Sequence, residues 1–250
     1  MEVAKQWDAD LYPELETAGG LAHALTRVLP GQLVPTGHGP PLVYARVAHG
    51  SRSSQVMVGA KTRAFSVDFW NQGVQYAHGF AATLEDVGRA FVAFQLERIS
   101  TDAMALVFPW FGANKQAAVH ESGPSAFVEY AWERTHRWLS QTEPEESVMR
   151  QLFPLVEAAM AVPALRSLFP FTSLNNLCFS RTTGYPYTSD CPSASPVQHG
   201  RFRARGGKLG AEPTKSVEGD EATIARVLAE ALPDGCGLAV HGTADDFAAR

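Results

Sequence analysis

Residues 65–78 read FSVDFWNQGVQYAH, and this stretch decides the fold of the first half of the chain. Apolar side chains occupy every second position on both sides of the turn at Trp70–Gly73, which predicts two half-buried β-strands joined as a hairpin. The two-residue period extends back to residue 42, and residues 55–59 are typical of a further short strand. We therefore expect an antiparallel meander of three or four strands over residues 42–79.

Helical patterns lie on both sides of this meander. Over residues 8–29 apolar side chains recur at three- and four-residue steps, which predicts one amphipathic helix, weakened by the glycine pair at 19–20. Thr83 or Asp86 is placed to cap a helix after the hairpin. Helical segments dominate residues 100–168, where prolines at first-turn positions indicate several short helices.

Strand patterns return in the last third of the chain. The alternation at 177–180 and the runs Arg201–Arg205 and Gly237–His241 each predict a strand, with a helix near 224–231 and a Pro-, Gly- and Ser-rich loop from about 182 to 200. Strands are grouped and do not alternate singly with helices. The sequence therefore predicts an α+β fold: an antiparallel β-meander, a helical middle region and a C-terminal strand–helix–strand unit.

Composition bounds the class of protein. Of the 250 residues, 45% are hydrophobic and 19% are charged, and the net charge is −5, which excludes a disordered or collagen-like chain and argues against general nucleic-acid binding. The length fits a single α+β domain over 1–250, or two lobes of residues 1–100 and 145–250. No membrane-spanning run or secretory signal is found, and three scattered cysteines do not form a disulfide framework. We expect a cytoplasmic protein with no membrane partner.

The first candidate site is Asp68 with His78, a carboxylate and an imidazole that could form an acid/base pair. The length of the hairpin loop decides whether they meet. A two-residue loop puts them on opposite faces, and a three-residue loop with Gly73 in the left-handed conformation puts them on one face. The alternative is that His78 caps the strand end while Asp68 bonds to a neighbouring backbone group.

The second candidate site is the segment 181–192, RTTGYPYTSDCP, which concentrates polar and aromatic groups in one loop. Tyr185 and Tyr187 could wall an apolar pocket, Arg181 could hold a carboxylate or phosphate, and Asp190 could serve in acid/base chemistry. Cys191 could be a nucleophile only where a base or positive charge lowers its pKa. The alternative is a structural loop whose tyrosines cover the core.

A third candidate is the arginine row, defined as Arg201, Arg203 and Arg205, which alternation puts on one strand face. It could bind an anionic ligand or an acidic partner, or it could protect an edge strand from aggregation. The eight histidines never pair at metal-binding spacing, and the phosphate-loop, dinucleotide and nucleophile-elbow motifs are missing. Neither a metal nor a cofactor is expected.

Several runs of the C-terminal third resemble an uncharacterised family of filamentous soil bacteria labelled "natural product biosynthesis protein". They are 165–173, 177–181, 184–187 and 190–192, and weaker similarity extends the resemblance over most of residues 42–240. The resemblance implies no reaction, cofactor or site. With the candidate residues, it favours an accessory or tailoring protein that binds a small molecule or short peptide, with cofactor-independent acid/base catalysis as an option. A non-catalytic interaction module that holds a partner enzyme or carrier is the alternative.

Overall fold

A computed structural model describes residues 7–36, 44–143, 147–198, 200–210 and 215–249. The chain divides into two compact units, Met1–Ala118 and Val119–Arg250. The predicted α+β class is confirmed, because each unit combines helices with a five-stranded antiparallel sheet. Whether the chain folds as one domain or as two lobes stays a prediction.

Unit 1 is an antiparallel sheet in the order β1-β2-β3-β4-β5 with helices along it. Its elements are α1 (Pro13–Ala18), α2 (Leu21–Val28), β1 (Tyr44–His49), β2 (Arg52–Val58), β3 (Phe65–Asn71), β4 (Val74–Ala81), α3 (Leu84–Gln95), α4 (Thr101–Val107) and β5 (Phe111–Ala113). Helix α5 (Lys115–Glu121) contains the division between the units. The predicted meander is therefore confirmed in its strands β1 to β4, and β5 adds a short strand inside the region expected to be helical. Residues 30–41 contain four prolines and three glycines, which predicts a loop, and the part beyond residue 36 lies outside the described residues.

Two local signals explain how unit 1 begins and ends its helices. The prediction of a single helix over 8–29 is wrong. Gly19 takes a left-handed conformation (φ 76°), which ends α1 before α2 begins. The predicted cap is confirmed at Thr83, whose hydroxyl accepts the backbone N–H of Asp86 at 3.1 Å and so begins α3.

The core of unit 1 is centred on Phe69, which is fully buried on the inner face of the sheet. Its ring meets those of Phe91 and Phe94 on α3 at centroid distances of 5.9 and 5.2 Å, and that of Phe111 on β5 at 4.9 Å. Burying one such ring stabilises the fold by about 2–3 kcal/mol. This packing fixes which face of β3 points inward, so the intervening Asp68 points to the outer face.

Unit 2 is a second antiparallel sheet, in the order β10-β9-β8-β7-β6, with helices against it. Its elements are α6 (Pro124–Ser140), α7 (Phe153–Met160), α8 (Pro163–Arg166), β6 (Phe169–Ser173), β7 (Asn176–Ser180), β8 (Ser193–Gln198), β9 (Arg201–Arg205), β10 (Val217–Gly219), α9 (Glu221–Glu230) and α10 (Ala244–Ala248). The long loop predicted over 182–200 is shorter, because β8 occupies its second half. The final strand predicted over Gly237–His241 is reduced to one parallel bridge between Thr182 and Val240.

Helix α6 is the central helix of unit 2 and begins with Pro124 in its first turn. Trp132 is fully buried, and its indole N–H lies 3.0 Å from the carbonyl of Arg166 and 3.1 Å from that of Leu168. These bonds tie α6 to the chain that enters β6. Trp138, near the end of the helix, is 46% exposed.

Candidate functional site

Asp68 and His78 meet on the outer face of the sheet of unit 1. Asp68 Oδ1 lies 2.8 Å from His78 Nδ1, and the two residues are direct partners across β3 and β4. The carboxylate is largely covered (side chain 12% exposed), whereas the imidazole is 46% exposed. The alternative, in which each residue serves only its local backbone, is therefore wrong.

Asp68 and His78 meet although the hairpin loop has the length that was expected to keep them apart. The hairpin has the two-residue loop, Gln72 and Gly73, both with positive φ, and this loop was expected to separate Asp68 from His78. A β-bulge restores the contact: Trp70 pairs with Gln75, but Phe69 pairs with Ala77. Tyr76 is the extra residue, and it shifts the inward–outward alternation of β4 by one position.

Two amides complete the surroundings of the Asp68 carboxylate. Gln55 Nε2 donates to Asp68 Oδ2 at 2.7 Å, and Gln75 Nε2 donates to Asp68 Oδ1 at 2.8 Å. Tyr44 in turn donates its hydroxyl to Gln55 Oε1 at 3.0 Å. The carboxylate thus has a partner on both oxygens from within the sheet, and the exposed side of the cluster is the His78 ring.

An apolar side chain lies beside the imidazole. Phe80 is 61% exposed, and its ring stands edge-on to the His78 ring with centroids 4.9 Å apart. On the other side, His78 pairs with Gly112 of β5, which presents no side chain. A ligand at His78 would therefore meet an aromatic edge on one flank and the backbone of Gly112 on the other.

The loop of residues 181–192 belongs to unit 2 and is braced by hydroxyl groups. Ser180 Oγ accepts the backbone N–H of Thr182 at 3.0 Å and that of Thr188 at 3.1 Å, while Thr188 Oγ1 accepts the N–H of Arg181 at 3.0 Å. The backbone of Thr183 also donates to the carbonyl of Val240 at 3.0 Å. These bonds favour the structural interpretation for the first half of the loop.

Arg181 and Asp190 pair with each other across this loop. Arg181 Nη1 lies 3.0 Å from Asp190 Oδ2, Nη2 donates to the carbonyl of Gly235, and the guanidinium stacks 4.6 Å from the ring of Phe247. The hydrogen bond to Asp190 raises the pKa of Arg181 above its ordinary value. Both residues therefore have partners from the protein, and their observed contacts brace the loop.

Tyr187 lines a groove, whereas Tyr185 stands at its side. A cavity of about 440 Å³ is lined by Arg134, Thr135, Trp138, Pro170, Phe171, Thr172 and Tyr187, and we call it the aromatic groove. The rings of Phe171 and Tyr187 are 4.4 Å apart, and Tyr185, 68% exposed, stands perpendicular to Tyr187 at 5.7 Å. Burial raises the pKa of Tyr187, and the nearby Arg134 charge opposes this rise.

The cysteines of unit 2 do not have the environment of a nucleophile. Burial raises the pKa of Cys191 far above its usual range, and it hydrogen-bonds to Cys236, whose pKa is also raised by burial. Burial raises the pKa of Cys178 to about 11. A thiol attacks as the thiolate, so these surroundings oppose the nucleophilic role considered for Cys191.

The side chains of the arginine row share one face of their strand, as predicted, but this strand does not lie at the edge of the sheet. Phe202 and Ala204 are buried and the arginines point outward. The edge-strand interpretation is wrong, because β9 lies between β8 and β10. Arg203 is paired with Glu218 of β10, whereas Arg201 and Arg205 are exposed.

Some residues that reasoning from sequence missed come together only in the fold. His120 and His241 stack with ring centroids 3.9 Å apart, and His241 Nδ1 lies 3.1 Å from the hydroxyl of Thr183. Arg134 and Trp138 of α6 line the aromatic groove. The spacing of Arg134 and Trp138, one helical turn apart, was the only sequence sign that they share a surface.

Two features are missing from the parts of the chain that the structure describes. Within residues 7–36, 44–143, 147–198, 200–210 and 215–249, no group of three His, Cys, Asp or Glu side chains could hold a metal ion. Over the same residues, no helix combines the length and the apolar character needed to cross a membrane.

Residues 126–243 match a protein family described as "Family of unknown function (DUF6193)". This segment runs from α6 almost to α10 and includes the aromatic groove and the loop 181–192. Neither the curated proteins nor the solved structures contain a match. The similarity to an uncharacterised family is thus supported for unit 2, while the natural-product label and the bacterial source stay predictions.

Proposed function

We propose that this chain is a cytoplasmic accessory or tailoring protein of natural-product biosynthesis that binds a small molecule or short peptide in the aromatic groove. The observation that carries the proposal is the groove, about 440 Å³ in volume and walled by Tyr187, Phe171 and Trp138. This volume lies within the range of small-molecule sites, which are mostly apolar with a few placed polar groups. The biosynthetic context rests on the resemblance of the sequence alone.

The groove favours a ligand with an aromatic or other planar group. Trp138 lines the groove and is 46% exposed, Tyr185 is 68% exposed beside Tyr187, and Arg134 adds a guanidinium to the lining. Aromatic side chains bind planar groups by stacking, and an arginine adds affinity for a carboxylate. Indole-3-acetate and a phenylalanine-containing dipeptide are therefore suitable probes.

A thermal-shift titration of the full chain with these two probes tests the proposal. A ligand present at 100 times its dissociation constant stabilises the folded state by about 2.7 kcal/mol, which raises the melting temperature measurably. Tyr187→Ala and Trp138→Ala should abolish the shift. His136→Ala is the matched control, since His136 lines a different groove beside α6. Arg181→Ala would reduce the shift if Arg181 contributes to the ligand site.

Absence of a shift with both probes would remove the groove as a site for planar ligands. That outcome would favour the alternative function, an interaction module that holds a partner enzyme or carrier. The exposed Arg201 and Arg205 on the outer face of β9 support this alternative, because they would face an acidic partner surface.

A second candidate activity is cofactor-independent acid/base catalysis at Asp68 and His78. The 2.8 Å contact between Oδ1 and Nδ1 supports it, because a carboxylate so placed holds the imidazole in one tautomer and leaves Nε2 to take a proton. Asp190 is a weaker candidate, since Arg181 is its ion-pair partner.

The probe for this activity is 5-nitrobenzisoxazole, whose ring opens when a base removes its C–H proton and the N–O bond breaks. The proton moves to His78 Nε2 and the product leaves as a cyanophenolate. We expect His78→Ala to lower the protein-dependent rate at least about tenfold, within the usual contribution of a general base. His136→Ala is the control, and an equal rate in His78→Ala would refute the activity.

A further inference from the structure

The Asp68 carboxylate is held by more donors than an acid/base pair alone supplies. Oδ1 accepts from Gln75 at 2.8 Å and contacts His78 Nδ1 at 2.8 Å, and Oδ2 accepts from Gln55 at 2.7 Å. A carboxylate offers about four acceptor positions, so three of them are taken by side chains of the same sheet face. The Asp68 carboxylate is therefore fixed in orientation, and most of its hydrogen-bond acceptor positions are occupied.

The two glutamines are themselves placed by specific features of the sheet. The hydroxyl of Tyr44 donates to Gln55 Oε1, which turns the N–H₂ end of that amide toward Asp68. Gln75 and His78 are three positions apart, and a regular strand would put them on opposite faces. The extra residue Tyr76 in the bulge brings both to the outer face.

We propose that Gln55 and Gln75 are positioning residues that lock Asp68 as the acceptor for His78, so that the imidazole carries its proton on Nδ1 and presents Nε2 outward as a base. The amide N–H₂ groups are donors and cannot accept the Nδ1 proton. They hold the Asp68 carboxylate in place, so that Asp68 Oδ1 is the acceptor for that proton. The inference rests on the proposed acid/base function for its purpose. Its physical content, the tautomer of His78, is measured without any substrate.

The experiment is ¹⁵N NMR of the histidine side chains in the full-length protein, at a pH where the imidazoles are neutral. Two-bond ¹H–¹⁵N correlations distinguish the Nδ1–H from the Nε2–H tautomer, and His78→Gln assigns the signal. We expect Nδ1–H to dominate in the wild type. Asp68→Asn should lower the ratio of the two tautomers about tenfold, the effect of losing one hydrogen bond to a charged group.

The glutamines are tested by Gln55→Leu, Gln75→Leu and the double variant. Each single change should shift the ratio toward Nε2–H, and the double variant should shift it further. Met57→Leu is the matched control, because Met57 is an exposed side chain on the same face of β2. Gln55→Glu, equal in size, should also fail to support the Nδ1–H tautomer, because its carboxylate repels Asp68 and donates no proton.

The outcomes separate the two hypotheses. An unchanged tautomer ratio in the folded double variant, judged by its amide spectrum, overturns the positioning role and leaves the pair itself intact. If wild-type His78 is mainly Nε2–H, Nδ1 donates no proton to Asp68, and the acid/base function fails together with the positioning role. A normal tautomer with no proton-transfer activity would refute the function while the positioning role stands.

Discussion

The buried histidine stack gives the clearest pH-dependent prediction for this protein. His120 is 2% exposed, and its ring lies against that of His241 and stands edge-on to that of Phe127, with centroids 4.9 Å apart. Burial, with a smaller contribution from the charge of His241, lowers the pKa of His120 from 6.5 to about 3. The folded protein thus holds this imidazole neutral under conditions that protonate it in the unfolded chain.

The sign and size of the effect follow from linkage. Between pH 6.5 and about 3 the unfolded state binds the extra proton, so stability is full above pH 6.5 and is lost as the pH falls toward the folded pKa. With these two values, lowering the pH from neutral to about 5 costs about 2 kcal/mol through His120 alone. Burial also lowers the pKa of His241, which adds to the loss in the same direction.

The assay is urea unfolding of the full chain, followed by far-ultraviolet circular dichroism at about pH 7.5 and about pH 5. The quantity of interest is the change in unfolding free energy between the two pH values, compared between wild type and His120→Gln. We expect the variant to lose about 2 kcal/mol less than the wild type on acidification. His23→Gln, which removes an exposed histidine, is the control for losing one imidazole.

The same acid-induced loss in wild type and His120→Gln would refute the argument, since it would mean that His120 takes up its proton without cost in the folded state. His120→Asn serves as a second variant if the glutamine does not fit the site.

Two further predictions concern buried polar groups. The Tyr12 hydroxyl accepts the backbone N–H of Ala64 at 2.9 Å and lies within 3.1 Å of three carbonyl oxygens in the 59–64 turn. Because Tyr12→Phe removes this hydroxyl, the free energy of unfolding in urea should fall by about 1–3 kcal/mol. An unchanged value would show that water replaces these bonds. Cys191 and Cys236 should react slowly with iodoacetamide in the native protein and quickly in urea, because burial keeps both thiols protonated; fast native labelling of Cys191 by mass spectrometry would contradict this.

The strands of the meander could be predicted because period-two alternation is a local property of the chain. The bulge could not, because it depends on how β4 packs and pairs with β3. One sign was present: Tyr76 and Ala77 are apolar in succession, which breaks the alternation where the extra residue lies. Asp68 and His78 do lie side by side, but through a bulge that neither of the two loop lengths considered from the sequence includes.

The site residues of unit 2 were only partly predictable. Tyr187 was expected at a pocket from its loop, but the rest of the groove comes from α6 and β6, which are distant in sequence. Arg181 and Asp190 were expected to face a ligand, and they pair with each other at the partly exposed surface of the loop. Such pairing depends on the tertiary fold, and spacing alone does not reveal it.

The bulge at Tyr76 makes chain length, as well as side-chain identity, a determinant of the outer sheet face. Deleting this one residue would remove the bulge and leave a regular two-residue hairpin, in which Phe69 pairs with Ala77 and Asp68 still pairs with His78. The contact between Asp68 and His78 therefore tolerates a strand that is one residue shorter at the bulge, whereas one more residue between the turn and Ala77 would need a larger irregularity in β4 to keep the two side chains on one face. A laboratory search for altered activity on this sheet should sample one-residue length variants alongside substitutions.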